Sequence, residues 1–131
     1  MNTGEKDLNI LLKSMKPILN DGEYVFYSTK DTDEIKSSDI ISLFHEKEGI
    51  SLILAKETAD NLKLNYNYVA SWITLEIHSS LEAVGLTAAF SKALSEENIS
   101  CNVVAAFYHD HIFVAKEDAE KAMTILLAFL K

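Results

Sequence analysis

Four histidines, one cysteine and the serine pair that follows His78 are the residues of this chain whose types and places could carry chemistry. The densest group is His109-Asp110-His111, with His78 elsewhere. Imidazoles two apart on an extended strand share a face, and a carboxylate between them could complete a metal-binding set. At a hairpin tip, however, that alternation breaks, and His and Asp are ordinary turn residues there. The turn reading is preferred, and His45 is read as a strand surface residue. His78-Ser79-Ser80 places hydroxyls beside an imidazole, yet neighbours on a strand point to opposite faces. Neither a Gly-x-Ser-x-Gly elbow nor a Gly-rich phosphate loop occurs. Cys101 stands alone, with no base placed near it, and is read as a buried thiol acting as a small hydrophobe. The sequence therefore reads as non-enzymatic, with no catalytic residues, no metal and no cofactor.

A binding site is a different matter. From His78 the chain is expected to leave a strand and enter a helix, and a helix N-terminus has unpaired N–H groups at its positive end, suited to a carboxylate. The candidate ligand-binding residues are His78, Ser79, Ser80, Leu81, Glu82 and Gly85, with Asn102 at the start of the next strand available to a ligand amine. Two other uses of these residues compete. Ser79 and Glu82 have capping-box spacing, Gly85 would permit close packing, and Asn102 could simply end a turn.

These residues need elements to hold them. Leu8, Leu11, Leu12 and Met15 form a helical stripe after the N-cap Asp7, closed by Pro17. Asn20-Asp21-Gly22 reads as a turn and Tyr24–Tyr27 as a strand. Ser28 to Asp39 is polar and loop-like, Ile41–His45 and Ile50–Leu54 form a hairpin, and a short helix spans about Glu57 to Leu62. In the second half, Val69–His78 is a strand burying Ile73, Leu75 and Ile77. A helix follows to about Asn98 with inner residues Leu81, Val84, Ala88 and Leu94. Asn102–Tyr108 and His111–Ala115 make a second hairpin. A last helix from Glu117 has an acidic first turn and buries Ala119, Ala122, Met123, Leu126, Leu127 and Leu130.

Leu52 to Asp60 lies over Ile112 to Glu120 at a constant offset, both reading strand, Ala-Lys-Glu, then helix. Such a repeat points to two related units. Strand, helix, hairpin, helix is the order of a ferredoxin-like α+β unit with helices on one face of an antiparallel sheet. The second half fits directly. The first lacks a helix between its first strand and its hairpin, a place that the leading helix from Asp7 to Met15 could cover.

Composition narrows the partners. With 48% hydrophobic residues, four glycines and one proline, the chain can fill a core. A net charge of −8 excludes binding to a phosphate backbone, so no nucleic acid is expected. No apolar run reaches bilayer length and the first twelve residues lack signal-peptide character. No membrane partner and a cytoplasmic location follow as expectations. The aromatic residues Tyr24, Phe26, Tyr27, Tyr66, Tyr68 and Trp72 are read as sheet packing. Val103–Phe107, uncharged and β-prone, is read as an edge that pairs two copies into a homodimer or a higher homo-oligomer.

At Gly22-Glu23-Tyr24-Val25-Phe26, at His78-Ser79-Ser80-Leu81-Glu82-Ala83-Val84-Gly85-Leu86-Thr87-Ala88-Ala89, and from Asn102 to Val114, the chain resembles short stand-alone tandem ACT-domain proteins. The resemblance implies two ferredoxin-like ACT units, residues 1–66 with an extra leading helix and residues 67–131. It implies a small-ligand regulatory or sensing module that takes an amino acid at the first strand-to-helix loop and the start of the second strand. Of the usual Asp-x-Pro-Gly in that loop, Gly85 alone has a counterpart. A ligand-free protein–protein interaction module is the alternative function, and a metal-dependent enzyme using the histidines is the third.

Overall fold

The computed structural model describes residues 7–77 and 84–131. In chain order the elements are α1 (Leu8–Ser14), β1 (Lys16–Leu19), β2 (Tyr24–Thr29), β3 (Ile40–His45), β4 (Ile50–Ala55), α2 (Lys56–Asn61), β5 (Val69–Glu76), α3 (Leu86–Glu96), β6 (Asn102–Ala105), β7 (Asp110–Ala115) and α4 (Ala119–Leu127). Single tight helical turns add Ser37–Asp39, Lys116–Asp118 and Ala128–Leu130. Among the described residues, no helix is long and apolar enough to cross a membrane.

Two compact units emerge, and they do not follow the order of the sequence. One is Asp21–Ala70; the other joins Met1–Asn20 to Ser71–Lys131. The cut falls inside β5.

In the Asp21–Ala70 unit the strands lie in the order β3-β4-β2-β5, with β5 contributing Val69 and Ala70 opposite Val25 and Tyr24. Alternation along β2 and β4 sends Val25, Leu52 and Leu54 to one face, where they close a core with Ala59 of α2 and with Ile35. Ile35 comes from the polar connection between β2 and β3, so a single buried side chain stands where a ferredoxin-like unit would place a helix. The leading helix does not take that place, contrary to the expectation from sequence. Its Leu11 and Met15 are buried in the other core, with Ile73, Leu75 and Phe90.

That second unit orders its strands β1-β5-β7-β6. Asp7 caps α1 as expected, its carboxylate accepting from the Asn9 and Ile10 amides at 3.0 and 3.2 Å. Pro17 was legible as a helix stop, but not as part of a strand. It lies in β1, opposite Leu75 of β5. Among the described residues β1 pairs on one side only, with β5, and such an edge is where a residue without an N–H is tolerated. Ile73, Leu75 and Ile77 are buried as the alternation predicts.

Three sequence expectations need correction here. First, α3 begins at Leu86, and its buried residues are Leu86, Phe90 and Leu94. Val84 is 83% exposed and Ala88 is exposed, so the inner face has a different phase. The helix ends on left-handed Asn98, after which the Ile99 amide bonds back to the Leu94 carbonyl at 3.0 Å and Ile99 is buried. Second, β6 stops at Ala105, and the Ala106 amide donates to the His109 carbonyl to close the turn. Phe107 and Tyr108 stand out at its tip, edge to face. Third, α4 buries Ala119, Ala122 and Leu126, while Leu127 and Leu130 are partly open to solvent.

The repeat is visible in three dimensions. Leu52-Ile53-Leu54 and Ile112-Phe113-Val114 are buried at matching places in β4 and β7, and Ala59 and Ala119 are buried in the helical segments that follow.

Candidate functional site

His78, Ser79, Ser80, Leu81 and Glu82 lie outside the described residues. Gly85 and Asn102 are described, both in the unit that contains α3. Gly85 sits immediately before that helix with φ +94° and ψ −10°. A Cβ built there would come within 3.2 Å of the Leu8 Cδ2 of α1. Left-handed backbone and close packing thus both call for glycine, rather than a tolerated glycine inside the first turns. Having no side chain, Gly85 offers nothing to the first-turn amides of α3. The first turn carries no acidic residue either. Gly85→Ala should lower stability by about 1–2 kcal/mol, the cost of a left-handed Cβ. Gly85→Asn should lose less, because a short amide side chain tolerates that region. Thermal denaturation of the two variants checks the order, and equal melting of wild type and Gly85→Ala would contradict it.

Asn102 opens β6, exposed, with its Nδ2 donating to the Phe113 carbonyl across the hairpin at 3.3 Å.

His109 and His111 are engaged within their own unit. His111 Nδ1 accepts from the Trp72 indole N–H at 3.0 Å and lies 3.2 Å from the Thr74 hydroxyl. Asn20 Nδ2 donates to that hydroxyl at 2.9 Å and to the Trp72 carbonyl at 3.2 Å. An accepting Nδ1 puts the proton of the neutral ring on Nε2. Burial, and then the charge of His109, hold His111 below the usual histidine range. The His109 Nδ1 accepts from the Ile77 amide at 3.4 Å. Burial raises the Asp110 carboxyl, with His109 opposing. Among the described residues, no three His, Cys, Asp or Glu side chains are gathered so as to hold a metal ion. Cys101 is half-buried and burial pushes its thiol up to about 11, which leaves little thiolate for nucleophilic chemistry.

Sequence reasoning missed two hollows in the Asp21–Ala70 unit. One, of about 430 Å³, lies where β2 ends, lined by Tyr27, Thr29, Asp31, Asp33, Ile35 and Leu64 among others. Asp31 shapes it, accepting the Asp33 amide on Oδ1 and the Thr29 hydroxyl on its carbonyl. The signal was the run Asp31-Thr32-Asp33-Glu34, read only as a polar loop. A larger open hollow of about 610 Å³ is lined by Asp21, Glu23, Tyr24, Lys56 and Asp60, among others. Here the Asp60 carboxylate accepts the Tyr66 hydroxyl at 2.6 Å and Lys56 Nζ at 2.9 Å. Those two bonds, Tyr66 foremost, hold its carboxyl below the usual range.

A seven-stranded sheet with helical cover, whose two hairpins enter helices through matching strand-to-helix junctions, finds its counterpart among known families. One ACT-domain family matches residues 3–71 and a second matches residues 67–128. The chain belongs to the ACT-domain family. Both ACT matches meet within a few residues of the start of β5. A Vibrio cholerae protein described as of unknown function, a possible transport protein, is 46% identical over 95% of this chain and 96% of its own, with a TM-score of 0.85. An Agrobacterium tumefaciens protein matches at 17% identity over 88% of this chain and 89% of its own, with a TM-score of 0.72. Escherichia coli aspartokinase III, solved in complex with aspartate and ADP, matches at 13% identity and a TM-score of 0.58. Here the match covers 92% of this chain and 34% of the kinase. The last two likenesses concern the ACT fold alone. No curated protein matches the chain.

Proposed function

We propose that this tandem ACT protein is a non-catalytic regulatory or sensing module. Its ligand is a small carboxylate, an amino acid, held by the loop His78–Gly85. The observation that carries the reading is the start of α3. Gly85 turns the chain into a helix whose first turn has neither a capping side chain from Gly85 nor an acidic residue, and such a terminus favours a carboxylate. In this reading Ser79 and Ser80 supply hydroxyls and the amide oxygen of Asn102, at the head of β6, is the acceptor for the ammonium end. The aspartate in the E. coli aspartokinase III structure is a ligand of this class, found in a protein that shares the fold. A bound ligand acts by favouring one arrangement of the protein over another, so it must bind the two with different affinities.

Thermal-shift screening of the full chain against the common amino acids at millimolar concentration tests the proposal. A ligand that binds only the folded form stabilises it, by about 2.7 kcal/mol at a concentration a hundredfold above its dissociation constant. One amino acid should raise the melting point. The Ser79→Ala/Ser80→Ala chain should keep its own melting point while losing most of that rise. A flat response to every amino acid, or a rise the double variant retains in full, would refute the assignment.

A further inference from the structure

Trp72 of β5 and His111 of β7 are joined side chain to side chain, on neighbouring strands of one unit. The polarity of that bond is fixed. An indole N–H can only donate, so at 3.0 Å the His111 Nδ1 is the acceptor and carries no proton. The Thr74 hydroxyl, 3.2 Å from the same nitrogen, accepts from Asn20 Nδ2 and keeps its own hydrogen for His111. Two donors thus meet at one lone pair. Asn20 also gives its backbone and side-chain N–H groups to the Trp72 carbonyl, at 2.9 and 3.2 Å, so the network ties the residue after β1 to both strands. The rings are held in place as well, with Trp72 stacked 5.9 Å from Phe113 and its centre 5.6 Å from that of His111.

The surroundings of His111 do little to welcome a positive charge. β6 sets Val104 opposite it, while β5 and Asn20 offer the neutral groups already named. α4 packs on the other face of β7, where Ile112 and Val114 point. Its own hairpin supplies His109, with ring centres 6.5 Å apart, and Asp110. Lys16 and Glu76 oppose each other on β1 and β5, exposed, two residues beyond Thr74. Among the described residues, no carboxylate is hydrogen-bonded to the His111 ring.

We propose that the Trp72–His111 pair is a pH-sensitive latch between β5 and β7, closed while Nδ1 is bare and opened when that nitrogen takes up a proton. A protonated Nδ1 aims its hydrogen at the indole hydrogen. Thr74 can turn its hydroxyl and accept instead, but an indole has no acceptor to offer, so the two rings must part. Burial and then the charge of His109 push the same way, holding the ring below the usual histidine range. In the unfolded chain the ring takes its proton near an ordinary value of about 6.5. The stability that the latch contributes is therefore complete above that pH, and is lost as the pH falls from there through the lower value of the folded ring. Mild acidity is the signal such a device reads.

Titration of the full chain from about pH 8 to about pH 5, the span over which an ordinary histidine changes charge, tests the latch. Nuclear magnetic resonance follows the His111 ring and the indole N–H, and emission follows Trp72, the one tryptophan of the chain. The His111 ring should titrate below the histidines of the urea-unfolded chain. At the same midpoint the indole N–H should begin to exchange rapidly with water and the emission should move to longer wavelength, with circular dichroism unchanged. His111→Gln, whose amide oxygen accepts at any pH, should abolish the response of the indole, whereas His109→Gln and Asp110→Asn should keep it. Trp72→Phe removes the opposing N–H and should move the His111 midpoint up toward the unfolded value, a readout that does not depend on the glutamine variant. An indole that stays protected once His111 is protonated, a response that persists in His111→Gln, or a midpoint that Trp72→Phe leaves in place overturns the proposal. Loss of the whole fold at that midpoint overturns it too, because the latch is a local device.

Discussion

A chain shortened to begin at Asp21 should lose the cooperative folding of its C-terminal unit. The residues removed include α1 and β1, which are spent on that unit even though they precede the other in sequence. β1 pairs with β5 from Lys16 opposite Glu76 to Leu19 opposite Ile73. Leu11 and Met15 are 1% and 0% exposed, in the same cluster as Phe90, Leu94 and Leu126. Emptying the space of one buried Leu or Met costs about 2–5 kcal/mol, and here two go together with a strand of the ladder. The sum is comparable with the roughly 5–15 kcal/mol that holds a whole domain folded. Denaturant titration followed by circular dichroism, with amide exchange to locate the loss, checks this. The amides of α3, α4 and β7 should exchange far faster in the shortened chain. A midpoint equal to that of the full chain would show that residues before Asp21 are dispensable, as a division at residue 66 would have it.

Why the sequence suggested that division, and what it could not convey, can be traced to particular residues. The strand-turn-strand and strand-to-helix segments carried strong local signals: alternation at Ile73, Leu75 and Ile77, the Glu46–Gly49 turn, and the duplicated Ala-Lys-Glu junction. Each of these appears in the structure where the pattern placed it. β1 carried almost none, because Lys16-Pro17-Ile18-Leu19 is short and contains the residue that most often marks the absence of a strand. Only its pairing with β5, more than fifty residues away, makes it one. Of the proposed binding site, His78 to Glu82 lie outside the described residues, and Gly85 and Asn102 are described. Gly85 lies immediately before α3 and not inside its first turns, and its place there is tied to Leu8, a contact that no local pattern announces. The hollow at the end of β2 went unread for a similar reason: Asp31 and Asp33 look like any solvated turn until Tyr27, Ile35 and Leu64 are brought around them. The histidines illustrate the opposite case. The turn reading holds for His109, whereas His111 lies in β7 and its hydrogen bond with Trp72 depends on two strands lying side by side.

Phe90→Ala should destabilise the protein by about 3–5 kcal/mol, while Val84→Ala should change it by less than about 0.5 kcal/mol. Both residues are large hydrophobes close together in sequence, and spacing alone offers each as the inner face of the helix. Leu81, Val84 and Ala88 make one stripe; Leu86, Phe90 and Leu94 make another, at i, i+4 and i+8. The left-handed backbone at Gly85 decides between them, because α3 starts at Leu86 and Val84 lies outside it. Phe90 is then 0% exposed in the core that α1 and α4 close, and Val84 is 83% exposed. Truncating Phe90 leaves a cavity that packed neighbours relax into only partly, so transfer and cavity costs add. Truncating Val84 removes atoms that already meet water. Urea denaturation of the two variants measures the difference, and a cost at Val84 equal to or larger than that at Phe90 would mean that α3 presents its other face to the sheet. Moving the helix phase in that way would also release Leu94 and Ile99 from the core, and with them the bond that ends the helix on Asn98. The large expected gap between the two variants therefore tests the whole span from Gly85 to Ile99, the segment that sets the direction of the helix amides on which the proposed ligand site depends.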